Sequence, residues 1–180
     1  MNRRSFLGES ALASAAALSF PHVALSKENI KLRVAVIGLG QRSDYAFRSL
    51  RKDQVEVTAL CDVDTRTFSQ PVDKRRMDET PTELWPQAKQ FEDYRELFEY
   101  ANLFDAVWIA TPDHHHFPAA IRAIRAGKAV YCEKPLTWSV WESQQLADEA
   151  RKYEVATQLG NQGMGNQGWR MGRAYYESGV

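Results

Sequence analysis

VAVIGLGQRS, residues Val34–Ser43, is an apolar, β-branched run that passes directly into a Gly-x-Gly turn. The pattern predicts a buried strand, a tight turn and the start of a helix. Gly38 allows the chain to turn sharply, and Gly40 has no side chain to keep a phosphate away from the main chain. A second predicted strand, Val55–Cys61, ends directly before Asp62, which follows Gly40 by 22 residues. An acid at that place can bind a ribose, so these features predict a dinucleotide-binding βαβ unit.

The third position of this glycine fingerprint is Ser43, which is small enough to let the helix pack closely on the strand. Asp62 favours NAD over NADP, because a carboxylate there would repel a 2′-phosphate. Arg42 and Arg66 are near enough in sequence to leave NADP possible. The competing interpretation of the motif is that its glycines only shape a tight turn between a strand and a helix.

Strands alternate with helices from residue 31 onward, which predicts the α/β class with a doubly wound parallel sheet, the Rossmann fold. The predicted strands cover 32–37, 55–61, 88–91, 105–110, 129–132 and 155–159. The predicted helices cover 43–52, 65–77, 94–100, 118–126 and 139–153. We expect a Rossmann domain over 31–160, and a hinge or the start of a truncated C-terminal domain over 161–180. The motifs that follow strands should meet at one edge of the sheet, because ligands bind such sheets at the carboxyl ends of the strands.

The first 26 residues have the features of a twin-arginine export signal. Arg3 and Arg4 precede an alanine-rich apolar stretch, and Ala24–Ser26 is a plausible cleavage site of small residues. The apolar stretch is much shorter than the ~20 residues of a membrane span. We therefore expect the twin-arginine export machinery as a partner and a periplasmic or secreted location. This pathway carries folded proteins, so a cofactor bound in the cytoplasm would leave with the protein. An ordinary amphipathic N-terminus is the alternative.

Charge and cysteine content argue against two further features, a nucleic-acid partner and a disulfide bond. Basic and acidic residues are equal in number, 23 of each, and no basic stripe is present, so nucleic acid is not expected as a partner. Cys61 and Cys132 each end a predicted strand, and these strands are far apart in the expected order. We therefore predict two buried thiols and no disulfide.

Glu133-Lys134-Pro135 follows the fifth predicted strand. A lysine at that edge can donate a hydrogen bond to a substrate oxygen, and beside an oxidised nicotinamide it would suit general acid–base chemistry. The X-Pro bond after Lys134 is a candidate for the cis form. A solvated lysine at the end of a strand is the alternative interpretation.

Thr111–His116 follows the fourth predicted strand and holds three adjacent histidines. Consecutive side chains point in different directions and no cysteine or acid cluster accompanies them, so we predict no metal site. We expect Thr111 and Pro112 to line the nicotinamide ribose, with one histidine facing the cleft.

Gly160–Gly168 follows the sixth predicted strand and combines glycines with the amides of Asn161 and Gln162. This composition suits either recognition of a sugar or polyol, or a flexible hinge at the mouth of the cleft. Three tryptophans are expected to pack in the core or at an interface rather than to stack on a sugar: Trp138, Trp141 and Trp169.

These motifs together resemble the N-terminal half of the Gfo/Idh/MocA oxidoreductases, the family of glucose–fructose oxidoreductase and inositol dehydrogenase. The similarity covers residues 31 to about 178 and rests on these segments: Val34–Ser43, Cys61–Asp64, Asp105–Pro112, His116, Ala126–Lys128 and Cys132–Leu136. A further segment, Gly160–Gly163, is similar to the secreted, twin-arginine branch of the family.

The resemblance assigns expected roles to residues. Gly38, Gly40, Ser43 and the main chain of Gln41 and Arg42 would bind the pyrophosphate, and Asp62 would bind the adenosine ribose. The nicotinamide side would be surrounded by Thr111, Pro112, His116, Glu133 and Lys134. Lys134 would be the active-site lysine with His116 as a second catalytic candidate, and Lys134, Asn161 and Gln162 would contact the substrate.

The resemblance also implies hydride transfer between NAD and a sugar or cyclitol, in an exported oxidoreductase. The second α/β domain of the family, which would supply further catalytic residues and most of a homo-oligomer interface, is missing from this sequence. We therefore expect no turnover from these residues alone. Two alternatives remain: a non-catalytic nucleotide-binding fragment, and an NAD-dependent, redox-assisted glycosidase of the same family.

Overall fold

Six short strands form the centre of the computed structural model, which describes residues 30–71 and 78–179. They are β1 (Leu32–Ile37), β2 (Val55–Cys61), β3 (Lys89–Phe91), β4 (Ala106–Ile109), β5 (Ala129–Glu133) and β6 (Thr157–Gly160). All neighbouring strands pair in parallel, in the order β3-β2-β1-β4-β5-β6. This order confirms the predicted doubly wound Rossmann sheet, in which the order of strand addition reverses between β1 and β4. The predicted signal peptide lies outside the described residues.

Helices connect the strands, and several of them begin with a 3₁₀ turn. The α-helices are α1 (Asp44–Ser49), α2 (Pro81–Leu84), α3 (Tyr94–Leu97), α4 (His116–Arg125), α5 (Val140–Tyr153) and α6 (Gln167–Ser178). The 3₁₀ turns are Gln41–Ser43, Thr65–Ser69, Phe98–Leu103, Asp113–His115 and Gln162–Gly165. The predicted helix over 65–77 begins as the 3₁₀ turn Thr65–Ser69, and its residues 72–77 lie outside the described part of the chain. No described helix has the length and apolar character needed to cross a membrane.

Two apolar clusters hold the sheet, one on each face. On one face, α4 and α5 pack through residues such as Ile124 and Leu146 against β1, β4 and β5. On the other face, Phe47 of α1 and Trp85 pack against β1 and β2. Burial of each large apolar side chain stabilises the fold by roughly 1.5–3 kcal/mol, and the central strands, apolar on both faces, gain from both clusters.

The second face is left partly uncovered over β4, β5 and β6 within the described residues. A shallow apolar groove of about 440 Å³ lies there, and it is lined by Trp108 and Tyr131 among others. The two rings stack with their centroids 4.0 Å apart. The groove faces the middle and the amino ends of the strands, so it is separate from the edge where the ligand site is expected.

Local capping explains where the longer helices begin. Ser139 accepts a hydrogen bond from the main-chain N–H of Glu142, whose side chain accepts one from Ser139 in return, the capping box that begins α5. α4 begins at His116, two residues before the predicted start at Pro118. Pro118 is tolerated because the N–H groups of the first helical turn have no partner inside a helix.

Three tryptophans differ from the expectation of core packing. Trp138, Trp141 and Trp169 are 77%, 61% and 56% exposed. The core part of that prediction is therefore wrong for the described chain, and packing at an interface stays a prediction. Both cysteines, by contrast, are free and buried, as predicted. Burial raises the pKa of the Cys61 and Cys132 thiols to about 12.

Candidate functional site

The glycine turn after β1 lies at the carboxyl edge of the sheet, beside the ends of β2 and β4. Gly38 has a φ of +88°, and a Cβ added to it would lie 2.6 Å from the main-chain carbon of Ala110 and 2.6 Å from the nitrogen of Thr111. Its own N–H donates to the carbonyl of Cys61 over 2.8 Å. Gly38 is therefore required by the fold itself, both for its backbone angle and for the close approach of β4.

Gly40 has a different part in the same turn. Its backbone is extended, with φ −69° and ψ −175°, and a Cβ added to it would meet no atom within 4 Å. Any residue could adopt this conformation, so the fold does not explain the glycine. Among the described residues, the main-chain N–H groups of Gln41 and Arg42 have no hydrogen-bond partner. Open space beside two free N–H donors fits the approach of an anion such as a pyrophosphate.

Ser43 closes this turn at the position of the third fingerprint glycine. It is fully buried, and its hydroxyl donates to the carbonyl of Gly40 over 2.8 Å. The polar atom is therefore satisfied inside the turn, which explains how serine replaces glycine without a buried, unpaired hydroxyl.

Asp62 joins the end of β2 to the glycine turn. One carboxylate oxygen accepts from the N–H of Leu39 over 2.6 Å, and the other accepts from the N–H of Asp64 over 2.9 Å. Each oxygen keeps a further lone pair, so the carboxylate can still accept ribose hydroxyls. Asp62 therefore lies next to the turn, as the sequence predicted, and it also fixes the middle residue of that turn.

A cleft of about 290 Å³ opens beside Asp62. Its wall is partly aromatic: the Tyr94 and His115 rings are 6.2 Å apart edge to face, and the His114 and His115 rings are 4.7 Å apart. The described residues that line it are Ile37, Gly38, Cys61, Asp62, Val63, Glu92, Tyr94, Thr111, Pro112, His114 and His115. Flat rings beside a carboxylate fit a purine nucleoside.

Thr111 and Pro112 lie in this cleft, on the same side as Asp62. The Thr111 hydroxyl is buried and has no hydrogen-bond partner among the described residues. A buried, unpaired hydroxyl is rare in proteins unless a ligand or water completes it. The structure thus groups Thr111 and Pro112 with the expected ribose acid, and their predicted contact with the nicotinamide ribose stays a prediction.

His116 does not face the cleft. It is 1% exposed, its Nδ1 lies 2.5 Å from the carbonyl oxygen of Pro135, and its Nε2 lies 2.9 Å from that of Thr111. Each ring nitrogen is directed at a main-chain carbonyl oxygen inside the protein, so neither points toward a substrate. These contacts join the loop after β4 to the loop that carries Lys134. His116 therefore fits a positioning role better than the predicted catalytic one, and His114 and His115 are the histidines that line the cleft.

Glu133, at the end of β5, is also 1% exposed. Arg42 reaches it from the glycine turn, with its Nη2 2.7 Å from one carboxylate oxygen. The other oxygen accepts from the side-chain amide of Gln162 over 2.7 Å. Gln162 was predicted to contact the substrate, but the structure instead places its amide inside this cluster. Sequence reasoning missed the pairing of the Arg42 side chain with Glu133, since the fingerprint assigns a role only to the main chain of Arg42.

Lys134 and Asn161 lie exposed next to this cluster in sequence. Lys134 makes no hydrogen bond or ion pair within the described part of the chain, and its peptide bond to Pro135 is cis. Its ammonium group is therefore free to act on a ligand at the edge of the sheet. No group of three histidine, cysteine, aspartate or glutamate residues within the described ranges is arranged to hold a metal ion.

The parallel sheet, the open glycine turn and the acid on the adjacent strand together define a dinucleotide-binding Rossmann domain. Comparison with known proteins gives the family. Residues 32–161 match the model of the Gfo/Idh/MocA oxidoreductase family, described as an NAD-binding Rossmann fold, and the chain belongs to that family.

Among its relatives is a glycosyl hydrolase family 109 protein of Stenotrophomonas maltophilia, 36% identical over 135 residues, which are 74% of this chain and 29% of that protein. The scyllo-inositol 2-dehydrogenase (NAD(+)) of Bacillus subtilis is 32% identical over 130 residues, which are 72% of this chain and 35% of that one. The solved structure of an NAD binding oxidoreductase from Klebsiella pneumoniae is 28% identical to this chain and superposes with a TM-score of 0.62. The match covers 83% of this chain and 39% of that chain. The chain thus spans about a third of the length of the curated relatives it matches.

Proposed function

We propose that this chain is the NAD-binding part of an exported oxidoreductase that moves hydride to or from a sugar or cyclitol. The observation that carries the proposal is the open space at Gly40, beside the free N–H groups of Gln41 and Arg42 and next to the carboxylate of Asp62. NAD supplies a ring that accepts or donates hydride when it is bound. The substrate class is supported by relatives named as inositol dehydrogenases, which are 32% and 27% identical to this chain over 130 and 123 residues.

The charges near the ribose acid favour NAD over NADP. Asp62 would repel a 2′-phosphate. Of the two arginines that left NADP possible, Arg66 is paired with Asp64 at 2.7 Å, and Arg42 is directed to Glu133 at the other side of the glycine turn. Neither is therefore available to a 2′-phosphate without the loss of an existing ion pair.

Titration calorimetry of NAD and NADP on the wild-type chain tests this proposal. We expect NAD to bind at least tenfold more tightly than NADP. Replacement Asp62→Asn should lower NAD affinity by about tenfold to a hundredfold, the range for loss of a hydrogen bond to a charged group. A chain that binds neither coenzyme, or one that prefers NADP, would contradict the proposal.

Lys134 is the residue we propose for proton transfer with a substrate hydroxyl. Its support is its place directly after β5, its exposure and its freedom from ion pairs in the described chain. Asn161 lies exposed on the adjacent loop after β6, and we propose it as a contact for a substrate hydroxyl. In a longer form that turns over substrate, Lys134→Ala should lower kcat far more than coenzyme affinity. Equal losses in both would assign the lysine to binding.

A second candidate function is redox-assisted cleavage of glycosides. It is favoured by the relatives named as glycosyl hydrolase family 109 proteins, at 36% and 33% identity. A longer form assayed on cyclitols and on aryl glycosides separates the two activities. Oxidation of cyclitols with net production of NADH supports the dehydrogenase, and release of the aryl group without net NADH supports the glycosidase. Coenzyme binding with neither activity would indicate a non-catalytic nucleotide-binding protein.

We also propose that the protein is exported through the twin-arginine pathway and acts in the periplasm or outside the cell. The support is the sequence of the first 26 residues alone, with its paired Arg3 and Arg4. Replacing both arginines with lysine should keep the protein in the cytoplasm. An unchanged periplasmic yield would refute this route.

A further inference from the structure

A closed cluster of side chains links three loops at the edge of the sheet. Arg42 extends from the glycine turn, Glu133 ends β5, and Gln162 follows β6. The guanidinium donates a hydrogen bond through Nε to Oε2 of Glu133 over 2.9 Å, and its Nη2 forms an ion pair with the same oxygen at 2.7 Å. Nη2 also donates to the amide oxygen of Gln162 over 2.6 Å. The amide nitrogen of Gln162 donates to Oε1 of Glu133 over 2.7 Å, which closes the ring.

The buried carboxylate of Glu133 depends on its hydrogen-bond partners in this cluster. Glu133 is 1% exposed, and an ionised carboxylate at that depth is strongly unfavourable unless it is paired and hydrogen-bonded. Both of its oxygens are already satisfied by protein donors. Because the carboxylate is buried, it presents almost no surface to a ligand, and its role is to hold Arg42 and Gln162 in one orientation. The hydroxyl of Tyr131 adds a contact to the Gln162 amide at 2.9 Å.

Gly160 provides the space for the Glu133 carboxylate. A Cβ added at Gly160 would lie 2.8 Å from Oε2 and 2.9 Å from Cδ of Glu133. The backbone angles of Gly160 are not in the left-handed region, so a side chain there is opposed by contacts with Glu133, most closely its carboxylate and then its Cα at 3.0 Å, and not by the conformation of Gly160. Any larger residue at this position would displace Glu133 from Arg42.

The guanidinium itself is only partly used by the cluster. Its Nη1 donors have no partner among the described residues, and 43% of the Arg42 side chain is exposed. The Asp62 cleft lies on the β2 side of the glycine turn, whereas this guanidinium lies on the β5 and β6 side. A dinucleotide that has its adenosine at Asp62 and its pyrophosphate at the turn must extend its other half toward Arg42.

We infer that Arg42, Glu133 and Gln162 form a positioning clamp for the nicotinamide half of the dinucleotide, in which Arg42 contacts the ligand. Glu133 and Gln162 act through Arg42, and Gly160 is required so that Glu133 can reach it. This inference rests on the proposed function, because it assumes that a dinucleotide binds at the glycine turn. It assigns to the Glu133 carboxylate a structural pairing with Arg42 and Gln162 in place of the direct contact with the nicotinamide side that the resemblance implies.

The test compares two probes, NAD and AMP, by calorimetry on the same chain. AMP carries the adenosine and one phosphate but lacks the nicotinamide half. Arg42→Lys keeps the positive charge but loses the forked contact with Glu133. We expect it to weaken NAD binding by about tenfold to a hundredfold, the range for loss of a charge-assisted hydrogen bond, and to leave AMP binding within twofold.

Gly160→Ala provides a second variant, which changes no charged group. It should weaken NAD binding selectively by displacing Glu133. Gly172→Ala, in α6, is its matched control, because a Cβ there would meet no atom within 4 Å. If Gly160→Ala fails to fold, as judged by circular dichroism, the exposed Arg42→Lys variant decides the question.

The outcomes distinguish failure of the clamp inference from failure of the proposed NAD-binding function. Selective loss of NAD binding with AMP binding retained supports the clamp. Equal losses for both probes show a merely structural cluster, and unchanged binding of both shows that Arg42 does not contact the ligand; either result overturns the inference. Wild-type chain that binds neither probe refutes the proposed function itself.

Discussion

The two glycines of the fingerprint should respond in opposite ways to the same substitution. Alanine at Gly38 must adopt a φ of +88°, which costs roughly 1–2 kcal/mol for an L-residue. Its Cβ would also lie 2.6 Å from main-chain atoms of Ala110 and Thr111, where an ordinary carbon contact is about 3.5–4.0 Å. Overpacking of that kind typically costs about 1–3 kcal/mol. Gly38→Ala should therefore lower the free energy of unfolding by roughly 2–5 kcal/mol, a large share of the roughly 5–15 kcal/mol that stabilise a typical domain.

Alanine at Gly40, by contrast, meets no atom within 4 Å and needs no unusual backbone angle. It should leave stability unchanged or raise it by about 0.4–1 kcal/mol, because alanine restricts the unfolded chain. Its methyl group would occupy the space through which a pyrophosphate approaches, so NAD affinity should fall by at least about tenfold. The substitution therefore separates ligand binding from folding.

Urea unfolding and NAD titration of both variants measure the two effects side by side. The expected pattern is a Gly38→Ala chain that is destabilised, and a Gly40→Ala chain that is stable but binds NAD poorly. A Gly40→Ala chain with normal NAD affinity would refute the assignment of that space to the pyrophosphate. A Gly38→Ala chain as stable as wild type would refute the steric argument at β4.

Three further substitutions or measurements address the fold. The Arg33 guanidinium donates hydrogen bonds to Asp105 and lowers the pKa of that carboxyl. The pair therefore stabilises the protein at pH values above the unfolded-state pKa of Asp105, near 3.9, and this stabilisation is lost as the pH falls through the lower folded-state pKa. The stability difference between wild type and Arg33→Met should accordingly shrink in acid, and a difference that grows as pH falls would contradict the pairing. The Cys61 and Cys132 thiols, with pKa values raised to about 12 by burial, should react with a thiol reagent only after unfolding, and rapid labelling of the native chain would show that they are accessible. Ser43→Val should lower the unfolding free energy by about 1–3 kcal/mol through overpacking of a fully buried position, whereas Ser43→Gly should remain close to wild type.

The architecture could be predicted because it depends on local patterns. Apolar runs bounded by turn residues identify parallel strands buried on both faces, and β1 was predicted with its observed bounds, Leu32–Ile37. The right-handed rule for crossovers then leaves few possible strand orders. The glycine turn and Asp62 were predicted for the same reason, since they follow their strands directly in the sequence.

The rest of the site depends on contacts between distant residues, which a single sequence does not encode as a pattern. Arg42 and Glu133 are 91 residues apart, and no local sequence pattern around either residue predicts that they form a pair. Three adjacent histidines look alike in sequence, but the helix that begins at His116 turns this residue inward and leaves its two neighbours in the cleft. The exposed tryptophans were expected in the core or at an interface because large apolar side chains are usually buried, a tendency that carries no information about a particular position.

The hydrogen bond from the Leu39 N–H to Asp62 means that the glycine turn holds its shape before any coenzyme arrives. A preorganised loop loses little conformational entropy on binding, so more of the interaction energy is retained as affinity. Association should then be limited by encounter and orientation of the two molecules rather than by a slow rearrangement of the protein. The carboxylate that we propose for ribose binding thereby also shapes the turn that we propose for the pyrophosphate.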